Sequence, residues 1–203
     1  MRFIFRYRNY AKAIYQSLIN DAFYIAMENS VSNGQSSQEA MLRYMEYSMT
    51  EAEKYGELYL PGEHEYGVSI WSKPLNKNLE ALKSKEKKIF LLNYMGELSL
   101  KKYNAIVDFM ATQSNPLIGN EFWYLSIVGI LPEFQSQGLG RDLVTKILKK
   151  TDLKNVSTYL ETFVPRNMSF YNRLGFKAVE SFHEPITDAD YWLMIREPYS
   201  EQV

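Results

Sequence analysis

The chain of 203 residues has no cysteine, only two histidines, no long uninterrupted apolar run and no surplus of charge of either sign. Without cysteine there is no disulfide, no thiolate zinc site and no cysteine nucleophile. His64 and His183 are the only imidazoles, too few for a histidine-based metal cluster, so no metal is assigned. A chain free of thiols suits a reducing compartment, and a cytoplasmic location is the expectation. Lys and Arg total 23 against 24 Asp and Glu, a net charge of -1. Nucleic acid requires a concentrated basic surface, so no nucleic-acid partner is expected. No segment approaches the roughly 18 continuous apolar residues of a membrane helix. Arg2, Arg6 and Arg8 interrupt the aromatic start of the chain, where a signal peptide needs an unbroken apolar core. The chain therefore reads as untargeted, with no membrane partner.

What is present is enough apolar material for a core: 46% hydrophobic residues against 23% charged. No repeat or low-complexity linker divides the chain, and the expectation is a single domain over residues 1–203. Residues 2–8 alternate basic and apolar, which predicts a short opening strand or arm. From about Tyr10 to Met27, Ile14, Tyr15, Leu18, Ile19, Ala22 and Phe23 recur at the spacing of one amphipathic helix. Asn29–Ser37 reads as a loop and Gln38–Lys54 as a second helix. Glu57–Leu60 and Tyr66–Trp71 form a hairpin candidate, turned by Pro61-Gly62-Glu63-His64-Glu65. Lys73–Lys88, the densest basic run, also holds Glu80, Glu86 and three leucines, and reads as a solvated helix face. Ile89–Met110 predicts one or two helices with Gly96 as the break.

The richest stretch runs from Trp123 to Phe176. Phe122–Leu131 is aromatic and β-branched on both faces except Ser126, the pattern of a buried central strand. Gly129 inside it marks a bulge or a close backbone approach that frees backbone groups for a ligand, or else is a plain packing glycine. Gln135-Ser136-Gln137-Gly138-Leu139-Gly140 then turns into a helix whose apolar residues are Leu139, Leu143, Val144, Ile147 and Leu148. Two glycines at a helix start let backbone donors approach an anion, with Arg141 adding a charge, although a Gly-x-Gly is also an ordinary strand-to-helix turn. It is neither a P-loop, which needs Gly-Lys-Ser/Thr where this chain has Gly140-Arg141-Asp142, nor a dinucleotide fingerprint, whose third glycine is here Leu143.

These residues resemble the GNAT superfamily of acetyl-CoA-dependent N-acyltransferases. Gln135-x-x-Gly138-x-Gly140 matches that family's phosphate loop. Val68-Ser69-Ile70-Trp71, Trp123-Tyr124-Leu125, and Leu160-Glu161-Thr162 running through Pro165-Arg166-Asn167 to Phe170-Tyr171-Asn172-Arg173-Leu174-Gly175-Phe176 are similar to the branch that includes puromycin N-acetyltransferase. The resemblance covers about Tyr66 to Phe176 closely and places nothing before residue 60. It implies an α/β (α+β) fold with a mixed, mostly antiparallel central sheet flanked by helices and splayed at the acetyl-CoA cleft.

By resemblance, the backbone of Val128, Gly129 and Ile130 would bond the pantetheine arm. The amides of Gln135, Ser136, Gln137, Gly138, Leu139, Gly140 and Arg141 would hold the pyrophosphate. Asn167 would contact the cofactor arm, and Tyr171 would lie beside the sulfur. The implied chemistry is direct attack of an uncharged amine on the thioester, an oxyanion held by a strand amide, and departure of coenzyme A. Tyr171, with an ordinary pKa of about 10, is protonated at neutral pH and can serve as general acid; otherwise it is one more core tyrosine among 16. Base candidates are Glu161, on one face with Tyr159 and Phe163, Glu121, or a water relay, while His64 reads as a surface histidine in a turn. The expected acceptor is a small-molecule or exposed primary amine, and the expected state a monomer or homodimer. The rival reading is a non-catalytic coenzyme A sensor or interaction module on the same fold.

Overall fold

The computed structural model describes residues 4–34, 36–62 and 65–199. Its framework is one six-stranded sheet in the order β1-β2-β3-β4-β6-β5. The strands are β1 (Gly56–Tyr59), β2 (Gly67–Ser72), β3 (Trp123–Ile130), β4 (Thr158–Thr162), β5 (Lys177–Glu184) and β6 (Ala189–Arg196). The helices are α1 (Arg8–Ser17), α2 (Ala22–Glu28), α3 (Ser37–Tyr55), α4 (Lys77–Tyr94), α5 (Glu97–Ser114), α6 (Leu139–Leu153) and α7 (Met168–Arg173). Every neighbouring pair of strands is antiparallel except β3 and β4. That parallel pair holds together only at Trp123↔Thr158 and Tyr124↔Tyr159, after which the two strands part.

Helices cover both faces. Val68, Ile70 and Ile127 pack with α1, α3 and α4 on one side, while Trp71, Leu125, Leu143, Val144 and Leu160 form the core under α6 and α7 on the other. β3 serves both cores because it contains a bulge. Its pairing with β2 jumps from Ile70↔Ile127 to Trp71↔Leu125, leaving Ser126 as the extra residue, and Ser126 Oγ donates to Ile70 O at 3.0 Å. The bulge thus lies at Ser126 and not at Gly129. A Cβ on Gly129 would meet Ser17 Oγ at 2.5 Å and the Ile14 Cα at 3.0 Å, so this glycine admits the backbone of α1.

Most predicted elements are present, and three differ. The opening strand does not form: residues 4–7 carry no strand, Arg8 already begins α1, and residues 2 and 3 lie outside the described residues. The reason is tertiary, because the buried Glu46 of α3 accepts the amides of Arg6 at 2.6 Å and Tyr7 at 2.8 Å and so starts the helix. The single helix expected over 10–27 is two helices. Asp21 accepts from Phe23 N at 3.0 Å as the N-cap of α2, and Leu18–Asn20 form the turn before it. The basic run is not wholly a solvated face, since Lys87 of α4 is buried and paired with Glu51. Gly96, at φ 98, breaks α4 from α5 as expected.

Candidate active site

The parting of β3 and β4 opens the sheet, and the predicted site residues gather around that opening. On the α6 side, Gly138 caps the helix in the left-handed region at φ 81, with nothing within 4 Å of where its Cβ would stand. Gln135 to Gly138 are exposed. The Gln135 N–H turns back to Pro132 O at 3.2 Å, and the Arg141 N–H to Gly138 O at 3.2 Å. Leu139 and Gly140 open the helix with amides that no intrahelical carbonyl can reach. The Gln135 and Gln137 side chains hold the loop's shape by donating to Ile130 O at 3.1 Å and Glu133 O at 2.8 Å. A Cβ on Gly140 would meet Ile130 Cδ1 at 2.7 Å and the Phe170 ring at 3.2 Å, so a larger residue here would make those side chains shift. The amides of Ser136 to Gly140, at this exposed start of α6, suit a pyrophosphate, whereas those of Gln135 and Arg141 are taken up within the loop and the helix start.

A cavity of about 970 Å³ runs from this opening across the opposite side of the sheet, between β3, β4 and the helices α2 to α5. Val128, Glu161, Asn167 and Tyr171 line it; Gly129, Ile130 and Gln135 to Arg141 lie outside it. Tyr171 comes from α7, on the α6 side, and packs at ring-centroid distances of 5.2 Å from Phe170 and 6.1 Å from Phe176. Burial, and then the charge of Asp21, pushes its hydroxyl well above the ordinary value, so it keeps its proton. Asp21 packs with the helices on the opposite side of the sheet, and it and Tyr171 line the same cavity.

Glu161 also faces the opposite side, from β4, beside Tyr159 and Tyr124, whose rings stack at 4.7 Å. Burial pushes its carboxyl up to about 7 against the pull of the Ser114 and Tyr124 hydroxyls. Its Oε1 is buried with no hydrogen-bond partner among the described residues. Glu121 is exposed and lines no part of the cavity, and His64 lies outside the described residues. Asp21, Glu51 and Lys87 line the cavity too, yet the sequence reading assigned none of them. Asp21 had a local signal, an Asp just before an apolar helical run; burial pushes its carboxyl up to about 6 against the amides of Phe23 and Tyr24. Tyr24, Tyr44 and Trp71 line the cavity as well as contributing to packing.

Comparison with known proteins bears on the fold. Residues 96–178 match the family model described as the acetyltransferase (GNAT) domain. A Corynebacterium glutamicum structure described as histone acetyltransferase HPA2 and related acetyltransferase superposes with a TM-score of 0.63 at 17% identity, covering 97% of this chain and 93% of that one. Arylalkylamine N-acetyltransferase 2 of Aedes aegypti gives 0.58 at 15% identity, covering 98% and 99%. Naa20 of Chaetomium thermophilum, solved with a bisubstrate analogue, gives 0.50 at 10% identity, covering 97% and 85%. The chain therefore has the GNAT fold, a mixed and mostly antiparallel open sheet flanked by helices, and residues 96–178 are similar to the GNAT acetyltransferase domain.

Proposed function

We propose that the protein is an acetyl-CoA-dependent N-acetyltransferase acting on a primary amine. The observation that carries this reading is the opening between β3 and β4, beside which Tyr171 and Glu161 line one cavity while the loop before α6 lies outside it on the other face. The family match supports acetyl transfer in general. In this reading the pyrophosphate of acetyl-CoA rests on the amides of Ser136 to Gly140, since those of Gln135 and Arg141, expected with them, bond Pro132 O and Gly138 O. The pantetheine arm passes between the parted strands along the free edge of Val128, Gly129 and Ile130, with Asn167 on its other side. The thioester then lies beside Tyr171.

An acceptor enters from the α2 to α5 side as an ammonium and must lose a proton before it can attack. Glu161, which lines the cavity and whose carboxyl titrates near neutrality, takes that proton. The amine attacks the thioester carbon, a β3 amide holds the resulting oxyanion, and as the C–S bond breaks Tyr171 gives its proton to the departing sulfur while the adduct's nitrogen releases its surplus proton, which restores the Tyr171 hydroxyl. The block from Pro165 to Phe176 supports, within this proposal, the placement near the puromycin N-acetyltransferase branch. Neighbours of the same fold include one named for arylalkylamines, which accords with a small amine as acceptor.

The test pairs binding with turnover. Acetyl-CoA raises the melting temperature of the wild type and of Tyr171→Phe alike, and the variant loses about 10²–10⁴ in kcat, the usual value of a positioned general acid. A melting temperature unmoved by saturating acetyl-CoA sinks the proposal. Cofactor binding without transfer to any amine of a broad panel would establish the sensor reading in its place.

A further inference from the structure

Three carboxyl groups withdrawn from solvent line the cavity, Asp21, Glu51 and Glu161, and their charges are met differently. Glu51 of α3 has Lys87 of α4 as its counter-ion, at 3.3 Å. Glu161 is held by the hydroxyls of Ser114 and Tyr124. Asp21 has no cation: among the described residues no lysine, arginine or histidine pairs with it, and only the backbone amides of Phe23 and Tyr24 oppose its burial. It is also fixed in place. Oδ1 accepts from Phe23 N at 3.0 Å, its own N–H donates to Leu18 O at 3.0 Å, and its carbonyl accepts from Ile25 N at 2.9 Å. Two amides fill about half of the roughly four acceptor positions of a carboxylate. The residue keeps 9% of its surface accessible, and Leu18, Phe23 and Tyr24 around it line the cavity as well.

The neighbours of Asp21 show which part of the cavity it serves. Its charge bears on the hydroxyls of Tyr171 from α7 and Tyr24 from α2, whereas that of Glu161 bears on Tyr124, Tyr159 and Tyr191. Behind Tyr24 stand Tyr44 of α3, with ring centroids 6.4 Å apart, and Tyr103 of α5. Burial raises the hydroxyls of Tyr24, Tyr44, Tyr103 and Tyr171, so all four stay neutral and none offsets the carboxylate. An ionised carboxylate without a counter-ion in such surroundings is costly, and a cation that reaches it removes that cost. The acceptor of the transfer is itself a cation. Its ammonium has to come to the side of the cavity that holds Tyr171, which is the side of Asp21.

We propose that Asp21 receives the ammonium of the acceptor directly, seating the reacting nitrogen beside Tyr171 before its proton passes to Glu161. This rests on the acetyltransferase reading above. The two carboxyls then divide the work: Asp21, titrating at about 6, stays ionised and binds, while Glu161, at about 7, is the better proton acceptor. The same side chain caps α2, but a cap needs only an oxygen, and asparagine or serine supplies one as well as aspartate does. Holding an ammonium needs the charge.

The experiment is calorimetric titration of n-butylamine, benzylamine, spermidine and glycinamide into protein saturated with coenzyme A, which prevents turnover. The amine that the wild type binds most tightly is then titrated into Asp21→Asn, which keeps the cap and removes the charge. At about pH 8 the variant binds it at least about tenfold more weakly, the usual worth of a hydrogen bond to a charged group. At about pH 5, where Asp21 is protonated in the wild type too, the two proteins come within about threefold of each other. Turnover at saturating amine stays within about threefold of the wild type, since the base and the general acid are untouched. Should Asp21→Asn fail to fold, Asp21→Ser takes its place. Equal affinities at about pH 8, a weakening that persists in full at about pH 5, or binding of none of the four amines overturns the proposal. Failure to bind coenzyme A, or to acetylate an amine whose binding depends on Asp21 in this way, would instead overturn the acetyltransferase reading alone; without coenzyme A the same titrations into the free protein decide the role of Asp21.

Discussion

Glu161 shows how one residue's surroundings set its chemistry. Its neighbours on that face of the sheet are tyrosines, Tyr124, Tyr159 and Tyr191, and the Tyr191 hydroxyl is itself buried without a partner among the described residues. Ionising a carboxyl there is costly, and so it holds its proton up to about pH 7 in the folded state, whereas in the unfolded chain it titrates near its ordinary value of 4.5. Between those values the folded protein retains a proton that the unfolded chain has released. Stability from this group therefore falls as pH rises through that window, by on the order of 3 kcal/mol in full. Asp21 acts in the same direction between 3.8 and about 6. Glu161→Gln, neutral throughout, flattens the fall in urea midpoint between pH 5 and 8 and removes the rise of kcat through about pH 7. An unchanged pH–rate profile in this variant would show that Glu161 is not the base. Residue chemistry was partly legible in advance: Glu161 and Tyr171 stood in a recognisable block, whereas Lys87 looked like any other lysine of a basic run.

At the scale of elements, the close approach of α1 to β3 depends on one missing methyl group. Adding it in Gly129→Ala puts a carbon into Ile14 Cα and Ser17 Oγ, and α1 is held there by its own contacts with α3. The expected loss is about 1–3 kcal/mol, read as a lower urea midpoint with unchanged slope. A shift under a few tenths of a kcal/mol would show that α1 moves freely. Elements marked by local signals were readable: the β1–β2 hairpin, the Gly96 break and the α6 stripe all follow from side-chain period and turn residues. The opening segment was not, since Glu46 takes its amides from forty residues away in sequence. The division of α1 from α2 did carry a local mark in Asp21, but the helical spacing of apolar residues across it concealed the cap.

For the whole molecule, the open sheet has a thermodynamic consequence. A cleft whose two walls are separate strands gains stability from anything that bridges it. Acetyl-CoA at 100 times its Kd adds about 2.7 kcal/mol. For a chain of this size that corresponds to roughly 5–10 °C in Tm, measured by differential scanning calorimetry against cofactor concentration. A concentration-independent Tm would contradict the proposed cleft.

The sequence by itself determined the local chemistry: the glycine loop, the strand before it, the amphipathic helix after it, and the tyrosine that follows one strand later. These are readable because turn geometry, helix period and backbone donors depend on residues within a few positions of one another. The tertiary structure alone decided where β3 and β4 part, that Tyr171 and Glu161 approach one opening from opposite faces, and that Glu51 and Lys87 meet inside the cavity. Those facts depend on the order of strands in the sheet and on side chains brought together from distant helices, and no short-range pattern in the chain encodes such pairings.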